Sequence, residues 1–250
     1  MRKRLAHFYA EEIYADNDRS IRSARVVVPM VVELMHPSSV LDVGCGRGNW
    51  LSTFIAQGVE NVVGLDGDYI KPSKLLFPAD RFRPTDLSGK FEIPAGRFDL
   101  AICLEVAEHL PARNSRHLVR QLTLAAPQVL FSAAPPGQWG GGHVNCQPLP
   151  YWRKIFEEFG LRMLDPFRPK LRDDRTVAWW YRQNMVLFAS PAAIDANPAL
   201  ASCGEVQLGM ESEWVYRWVA DVQSAGPATR VRRLTGRVLR RAKKALRPKA

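Results

Sequence analysis

The chain has 250 residues, 46% hydrophobic and 24% charged, enough apolar material for one sizeable core in a single α/β domain. That composition excludes a disordered, collagen-like or disulfide-stapled chain. The basic excess, 35 Lys and Arg against 25 Asp and Glu, sits in residues 230–250, which hold ten basic residues and no acid, so residues 1–229 are formally neutral and offer no nucleic-acid groove by charge alone.

In chain order, residues 20–36 read as a helix, with apolar positions at Ile21, Val28, Val31, Val32 and Met35 and a stop at Pro37. SSVLDVGCGRGNW follows: a short apolar run ending in glycines, the pattern of a buried strand and a tight loop. Asn49–Gln57 is the next helix, ended by Gly58. NVVGLD is a second buried strand ending at Asp66, and Arg81–Leu87 a third, shorter one. FDLAICLEV (98–106) is the fourth, residues 114–125 a helix, and QVLFSAAPP (128–136) the fifth strand. PYWRKIFEEFG (150–160) is an amphipathic helix, and LRMLDPF (161–167) and QNMVLFAS (183–190) are two further strands with no helix expected between them. PAAIDANPALASCG is an Ala/Pro-rich connector, 211–223 a helix, and a basic tail runs to the end.

Apolar strands alternating with helices predict a Rossmann-like, seven-stranded, mostly parallel sheet covered on both faces, with the last strands antiparallel and a helical C-terminal appendage. Cys45, Cys103, Cys146 and Cys203 are far apart, with no CxxC or Cys/His metal spacing. No metal is called for, and a reducing cytoplasm is the expected compartment. The N-terminus has no apolar signal core, and the best apolar run, Val26–Met35, is broken by Pro29 and Glu33.

The chemistry concentrates at Asp42-Val-Gly44-Cys45-Gly46-Arg-Gly48, between a strand and a helix. Glycines there let the backbone pass close to a ligand and leave N–H groups free at a helix N-terminus. The spacing is G-x-G-x-G, not the dinucleotide G-x-G-x-x-G, which argues against a nicotinamide dehydrogenase. A second strand ends in Asp66, placed to accept from both hydroxyls of a ribose.

VLDVGCGRGNW, VVGLDGDY, TDL and FDLAICLEVAEHL together resemble the successive motifs of class I S-adenosylmethionine-dependent methyltransferases, over roughly residues 22–190. The pattern is similar to the small-molecule, ubiquinone-biosynthesis-like branch. FSAAPPGQWGGGHVNCQPLPYW resembles a bacterial subgroup found with glycan and secondary-metabolite genes. The resemblance implies S-adenosylmethionine as cofactor. Gly44, Cys45, Gly46 and Gly48 would line it, with Asp42 near its amino group or ordering the loop. Asp66 would hold the ribose, with room left by Gly67. Asp86 and Leu87 would lie at the adenine, and Leu104 and Glu105 at the methionine part. The implied organisation is an N-terminal helical lid (1–36), the methyltransferase domain (37–190), a linker and helix (191–227) and a basic amphipathic tail (228–250).

Two histidines are candidates for a base that takes a proton from a hydroxyl acceptor. His143 lies on the glycine-rich loop GQWGGGHVN after the fifth strand. His109 follows Glu105 by four residues and would share a face with it on a helix. Trp139, Tyr151, Trp152, Trp179, Trp180 and Tyr181 belong to the half that shapes an acceptor pocket, with Trp152 read as core and Trp179–Tyr181 either as core or as a surface for a sugar or aromatic ring. His7, Phe8, Tyr9 and Tyr14 form either a lid over the cofactor or a docking strip. The expected activity is O-methylation of a small molecule, glycan or glycolipid. The tail is either a solvated terminus or a contact with the inner face of a membrane. An RNA or protein methyltransferase and a non-catalytic scaffold are the alternatives. LEVAEH stands where amino-group nucleic-acid methyltransferases carry N-P-P-Y, so nucleic acid is the less favoured partner.

Overall fold

In the computed structural model, residues 17–93, 98–138 and 140–203 are described. The aromatic strip His7–Tyr14, Trp139, the helix expected over 211–223 and the basic tail lie outside them. The elements, in order, are α1 (Asn17–Met35), β1 (Ser39–Val43), α2 (Asn49–Ala56), β2 (Asn61–Asp66), β3 (Phe82–Pro84) and β4 (Leu100–Leu104). Then come α3 (Ser115–Ala125), β5 (Gln128–Ser132), α4 (Leu149–Glu158), β6 (Arg162–Leu164), α5 (Arg168–Leu171), α6 (Trp179–Asn184), β7 (Val186–Ala189), α7 (Pro191–Asp195) and α8 (Pro198–Ala201).

The strands form one sheet in the order β3-β2-β1-β4-β5-β7-β6. All pairs are parallel except those of β7, which runs antiparallel to both β5 and β6. The strands read as unbroken apolar runs because both faces are covered and successive side chains point to opposite sides. Leu100, Ile102 and Leu104 enter one core cluster with α1 and α2, and Ala101 and Cys103 enter the other with α3 and α4. Leu130 and Leu187 likewise separate from Val129, Phe131, Val186 and Phe188.

Two local expectations are corrected. The connection between β6 and β7 is helical: α5 and α6 occupy it, with four and six residues, too short for a periodic signal. It is fixed by Arg168, which is fully buried and donates to Asp165 Oδ2 through Nε (2.9 Å) and to the Gln183 carbonyl (3.2 Å). The Ala/Pro-rich connector also carries two short helices, α7 and α8. Asn197 caps α8 and donates its side-chain amide to the Leu34 carbonyl at 2.7 Å, docking this segment on α1. Of the segment expected as a lid, residues 17–35 are helical, with Ala24, Val27, Val28 and Val31 fully buried in the core. No helix among the described residues is long and apolar enough to cross a membrane.

The strand order reverses between β1 and β4, and open parallel sheets bind ligands in the crevice at the carboxyl ends of such strands. The segments after β1, β2, β4 and β5 converge there.

Candidate active site

Three glycines follow β1 with φ of 86°, 54° and 84° at Gly44, Gly46 and Gly48, a backbone that side-chain-bearing residues rarely adopt. Their surroundings differ. A Cβ on Gly44 would lie 2.3 Å from Val106 Cγ2, and one on Gly48 2.1 Å from Phe77 Cδ1. A Cβ on Gly46 would meet nothing within 4 Å. Gly44 and Gly48 therefore admit neighbouring side chains, whereas Gly46 faces open space. The Gly44 and Cys45 amides both donate to the Leu65 carbonyl (2.7 and 3.1 Å), tying the loop to β2. Cys45 is buried, and burial together with the nearby Asp66 and Asp42 pushes its thiol well up.

Asp66 closes the loop from the other side. Oδ2 accepts from the Gly46 amide (2.7 Å), while Oδ1 accepts from the Gly67 amide (2.6 Å) and the Tyr69 hydroxyl (2.5 Å). Burial raises its carboxyl and these three donors oppose that rise. The space beside Gly67 is not open for a ribose: Tyr69 folds back over it, placing Cε1 2.0 Å from where a Cβ would stand. Asp42, paired across β1 with Gly64 and Ile102, is buried with Oδ2 lacking any hydrogen-bond partner. Burial and then the Asp66 charge push its carboxyl well above the usual range. Asp86 is exposed and caps its own turn, Oδ1 accepting from the Ser88 amide (3.2 Å) and hydroxyl (2.6 Å), while Leu87 is buried.

Leu104 ends β4, buried, and Glu105 follows at φ 57°, a strained choice for a non-glycine residue and of a kind that clusters at functional sites. Its amide donates to the Ser132 carbonyl (2.9 Å), and its carboxylate accepts from Gln138 Nε2 (2.8 Å) and Asn184 Nδ2 (3.1 Å). Because Glu105 is left-handed and Ala107–His109 is a short 3-10 turn, the expected α-helical Glu105–His109 pairing does not form.

Glu108 takes that place. It is fully buried, its carboxyl set against the Glu105 carboxyl and the Ala134 backbone. Burial and the adjacent Glu105 charge push its carboxyl well up. His143 Nε2 stands 4.0 Å from Glu108 Oε1. His143 Nδ1 lies 3.1 Å from the Gln138 carbonyl, which only accepts, so Nδ1 carries the proton and Nε2 the lone pair. The His109 and His143 rings meet edge to face, 4.8 Å between centroids. Burial, then His143, pushes His109 down to about 4, the Gly142 backbone opposing, and burial lowers His143 as well. Both imidazoles are therefore neutral near pH 7.

The glycine-rich loop is tied to this turn. The Val144 and Asn145 amides both donate to the Glu108 carbonyl (2.8 and 3.0 Å), and Asn145 Nδ2 to Ala107 O and Ser115 Oγ (3.2 and 3.1 Å). Gly140 lets this ring approach: a Cβ there would lie 2.1 Å from His143 Nε2, so a side chain would displace the imidazole. Trp152 is core, as expected, and Tyr181 is buried against Trp50. Trp179 and Trp180 are half-buried and pair edge to face at 5.6 Å. The residues missed in the sequence are Glu108, Gln138 and Asn184. Only Glu108 carried a local signal, as the acid directly before His109.

These features fit a nucleoside joined to a cationic amino acid. Gly46 leaves a bare backbone face, Asp66 gathers donors of the kind a ribose diol presents, and Asp42 holds an unpartnered buried oxygen that suits an ammonium group.

A family model described as a methyltransferase domain matches residues 9–133. No curated protein matches the sequence. Among solved structures, an O-methyltransferase family protein from Burkholderia thailandensis superimposes with a TM-score of 0.54 at 13% identity, covering 76% of this chain and 63% of that one. Magnesium protoporphyrin IX methyltransferase from Synechocystis PCC 6803, solved with bound SAH, gives 0.53 at 17% identity, covering 75% and 98%. DesVI from Streptomyces venezuelae gives 0.54 at 11%, covering 74% and 98%. At such identities the likeness is one of fold.

Proposed function

The chain belongs to the methyltransferase-domain family, and from that premise we propose that it transfers the methyl group of S-adenosylmethionine to a hydroxyl oxygen of a small molecule, with a glycan or glycolipid as the acceptor class. The observation that carries the oxygen is the turn after β4, where the buried Glu108 and the lone pair of the half-buried His143 Nε2 face each other at 4.0 Å. A hydroxyl is a poor nucleophile until its proton is taken, whereas an amine is not.

S-adenosylmethionine, when bound, supplies an electrophilic sulfonium methyl. Asp66 holds the ribose hydroxyls, exchanging its bond to Tyr69, and Asp42 receives the ammonium group. Glu105, clamped by Gln138 and Asn184, keeps the β4 end in shape beside the methionine part. His143 Nε2 accepts the acceptor proton, and the Gln138 carbonyl on Nδ1 steadies the imidazolium that forms. His109 packs the other side of that ring. Trp179 and Trp180 begin the helix whose last residue, Asn184, reaches Glu105, which supports a sugar or aromatic ring stacking on them. The ten basic residues of 230–250 support a peripheral contact with an anionic cytoplasmic membrane face, suited to a lipid-linked acceptor.

The test is a methyl-transfer screen using labelled S-adenosylmethionine against phenols, free sugars and lipid-linked sugars, with wild type and His143→Ala. Methyl ethers formed by wild type and reduced at least about 100-fold in the variant are expected. Transfer to nitrogen or carbon alone would sink the oxygen assignment.

The raised Asp42 carboxyl gives a pH signature. In the free protein it retains its proton to higher pH than an ordinary aspartate, and an arriving ammonium group ionises it. Cofactor binding therefore releases protons, and affinity rises with pH through the titration of this carboxyl, so long as the pH stays below the titration of an α-amino group at about 8. The sign for the fold alone is opposite. A raised acid favours the folded state below its unfolded pKa and loses that contribution as pH climbs through the folded one. Asp42→Asn should remove most of the proton release measured by calorimetry in buffers of different ionisation enthalpy, with Asp66 supplying the remainder. Affinity that is flat or falls over that range in wild type would contradict the ammonium role of Asp42.

A further inference from the structure

We propose that the N-terminal half of α1 and the segment 168–184, which carries α5 and α6, form a docking surface for an anionic lipid bilayer. The surface borders the candidate site. The Ala178 amide donates to Ser23 Oγ of α1 (2.9 Å), and Asn184, the last residue of α6, reaches Glu105 (3.1 Å). The surface needs neither the oxygen acceptor nor the tail, and it turns the peripheral-membrane reading above into a named face of the folded domain.

Two observations point to such a partner. The first is charge. Residues 1–229 are formally neutral, yet residues 17–25 and 169–184 hold seven basic and three acidic side chains. Arg168 is left out because Asp165 neutralises it in the core. Arg19 and Arg22 are exposed and one turn apart on α1, and Arg172 and Arg175 are exposed beside α6. The backbone joins the two groups. The Arg182 guanidinium donates to the carbonyls of Arg172 (2.6 Å) and Val177 (3.1 Å), next to the Ala178–Ser23 bond. The second observation is aromatic. Trp179 and Trp180 are half-buried at the same place, and the Arg19 guanidinium stands 5.7 Å from the centre of the Trp180 ring. Tryptophan beside arginine suits the headgroup layer: indole settles at the membrane–water interface, and each basic residue is attracted by an anionic leaflet.

Arginine and tryptophan also suit a nucleic acid, through phosphates and stacked bases. A second basic element in the chain favours the bilayer. Among the ten basic residues of 230–250, Val231, Leu234, Val238, Ala242 and Leu246 recur at helical spacing, an apolar stripe that acyl chains accommodate and phosphates do not. A lipid surface takes both elements as separate contacts, each raising the effective concentration for the other. On the hydroxyl-acceptor reading, docking brings a lipid-linked sugar to Trp179 and Trp180 at headgroup depth. That consequence rests on the acceptor; the docking itself does not.

The test is sedimentation of the full-length chain with phosphatidylcholine vesicles, with and without phosphatidylglycerol, over a range of salt. Binding should need the anionic lipid and weaken as salt rises. Each basic residue near the surface contributes about fivefold in partitioning, or 1 kcal/mol, so Arg19→Gln combined with Arg22→Gln should cost about 25-fold. Arg120→Gln combined with Lys154→Gln is the control. It makes the same change in charge at exposed positions of α3 and α4, which cover the other face of the sheet, and should cost far less. Both pairs keep the tail, so its contribution cancels. Trp179→Phe should lessen the quenching of tryptophan fluorescence by brominated acyl chains. No vesicle binding, equal losses in the two pairs, or quenching indifferent to Trp179→Phe would overturn the surface. So would a single-stranded RNA oligonucleotide bound through Arg19 and Arg22 in place of vesicles. SAH titration of the same samples separates the two readings, since wild type and every variant should bind SAH alike. Vesicle binding without SAH binding would defeat the methyltransferase reading and leave the surface standing; SAH binding without vesicle binding would do the reverse.

Discussion

Asp66→Ala is expected to weaken S-adenosylmethionine and SAH binding by about 100-fold or more. A hydrogen bond to a charged group contributes about 1.5–3 kcal/mol, and a ribose offers two to this carboxylate, so their loss amounts to two or more powers of ten in affinity. The fold should survive, since the substitution removes a buried carboxyl raised by burial and leaves the Gly46 and Gly67 amides without their acceptor, two effects of opposite sign. Tyr69→Phe is the counterpart. The Tyr69 hydroxyl sits on Oδ1 at 2.5 Å, where a ribose hydroxyl would go. Deleting it removes a competitor, and affinity should stay level or tighten a few-fold, within the scale of one such bond. Calorimetric titration with SAH reads both variants. Wild-type affinity in Asp66→Ala would remove Asp66 from the site, and a large loss in Tyr69→Phe would make the phenol a ligand contact and not a placeholder.

Gly48→Ala and Gly46→Ala should part company although the two residues stand in one motif. At Gly48 the backbone is at φ 84° and a Cβ would strike the Phe77 ring at 2.1 Å. A left-handed conformation costs an L-residue about 1–2 kcal/mol, and overpacking a core about 1–3 kcal/mol more. At about 2–4 °C per kcal/mol for a domain of this size, the melting temperature should fall by roughly 10 °C. At Gly46, φ is 54° and the added methyl meets open space, so only the conformational cost of about 1–2 kcal/mol applies. The methyl projects where the cofactor is proposed to pass, and SAH affinity should drop at least about tenfold, or 1.4 kcal/mol. Thermal melting and calorimetry on the pair decide it. Equal melting losses would show that Phe77 moves aside, and unchanged SAH binding in Gly46→Ala would place the cofactor elsewhere.

The difference between these glycines marks the boundary between local and tertiary information. The alternation of apolar strands with helices, and the acids and glycines at strand ends, are local patterns. A parallel sheet buried on both faces leaves an almost unbroken apolar run in each strand, and a strand end that turns into a ligand loop needs glycine. Seven strands, the Gly44–Gly48 loop and Asp66 were legible in the sequence for that reason. Helices α5 and α6 were not, because four and six residues are too few to show a period and they are fixed by the buried side chain of Arg168, which bonds to Asp165 and, 15 residues on, to the Gln183 carbonyl.

The candidate catalytic cluster lies on the tertiary side of that boundary. His109 and His143 drew notice singly, but the expected partner, Glu105, depended on a helix that does not form. The left-handed turn at Glu105 rotates the following residues, so that Glu108 faces His143 and Glu105 instead meets Gln138 and Asn184. Those partners come from 33 and 79 residues away, brought in by a loop and by a helix too short to carry a periodic signal. By itself, the sequence determined the layers, the glycine loop and the acid that closes it, because each is set by neighbours in the chain. Only the tertiary structure decided which acid meets which histidine and which glycine faces open space, because both depend on segments that the sheet brings together at the carboxyl ends of β1, β4 and β5.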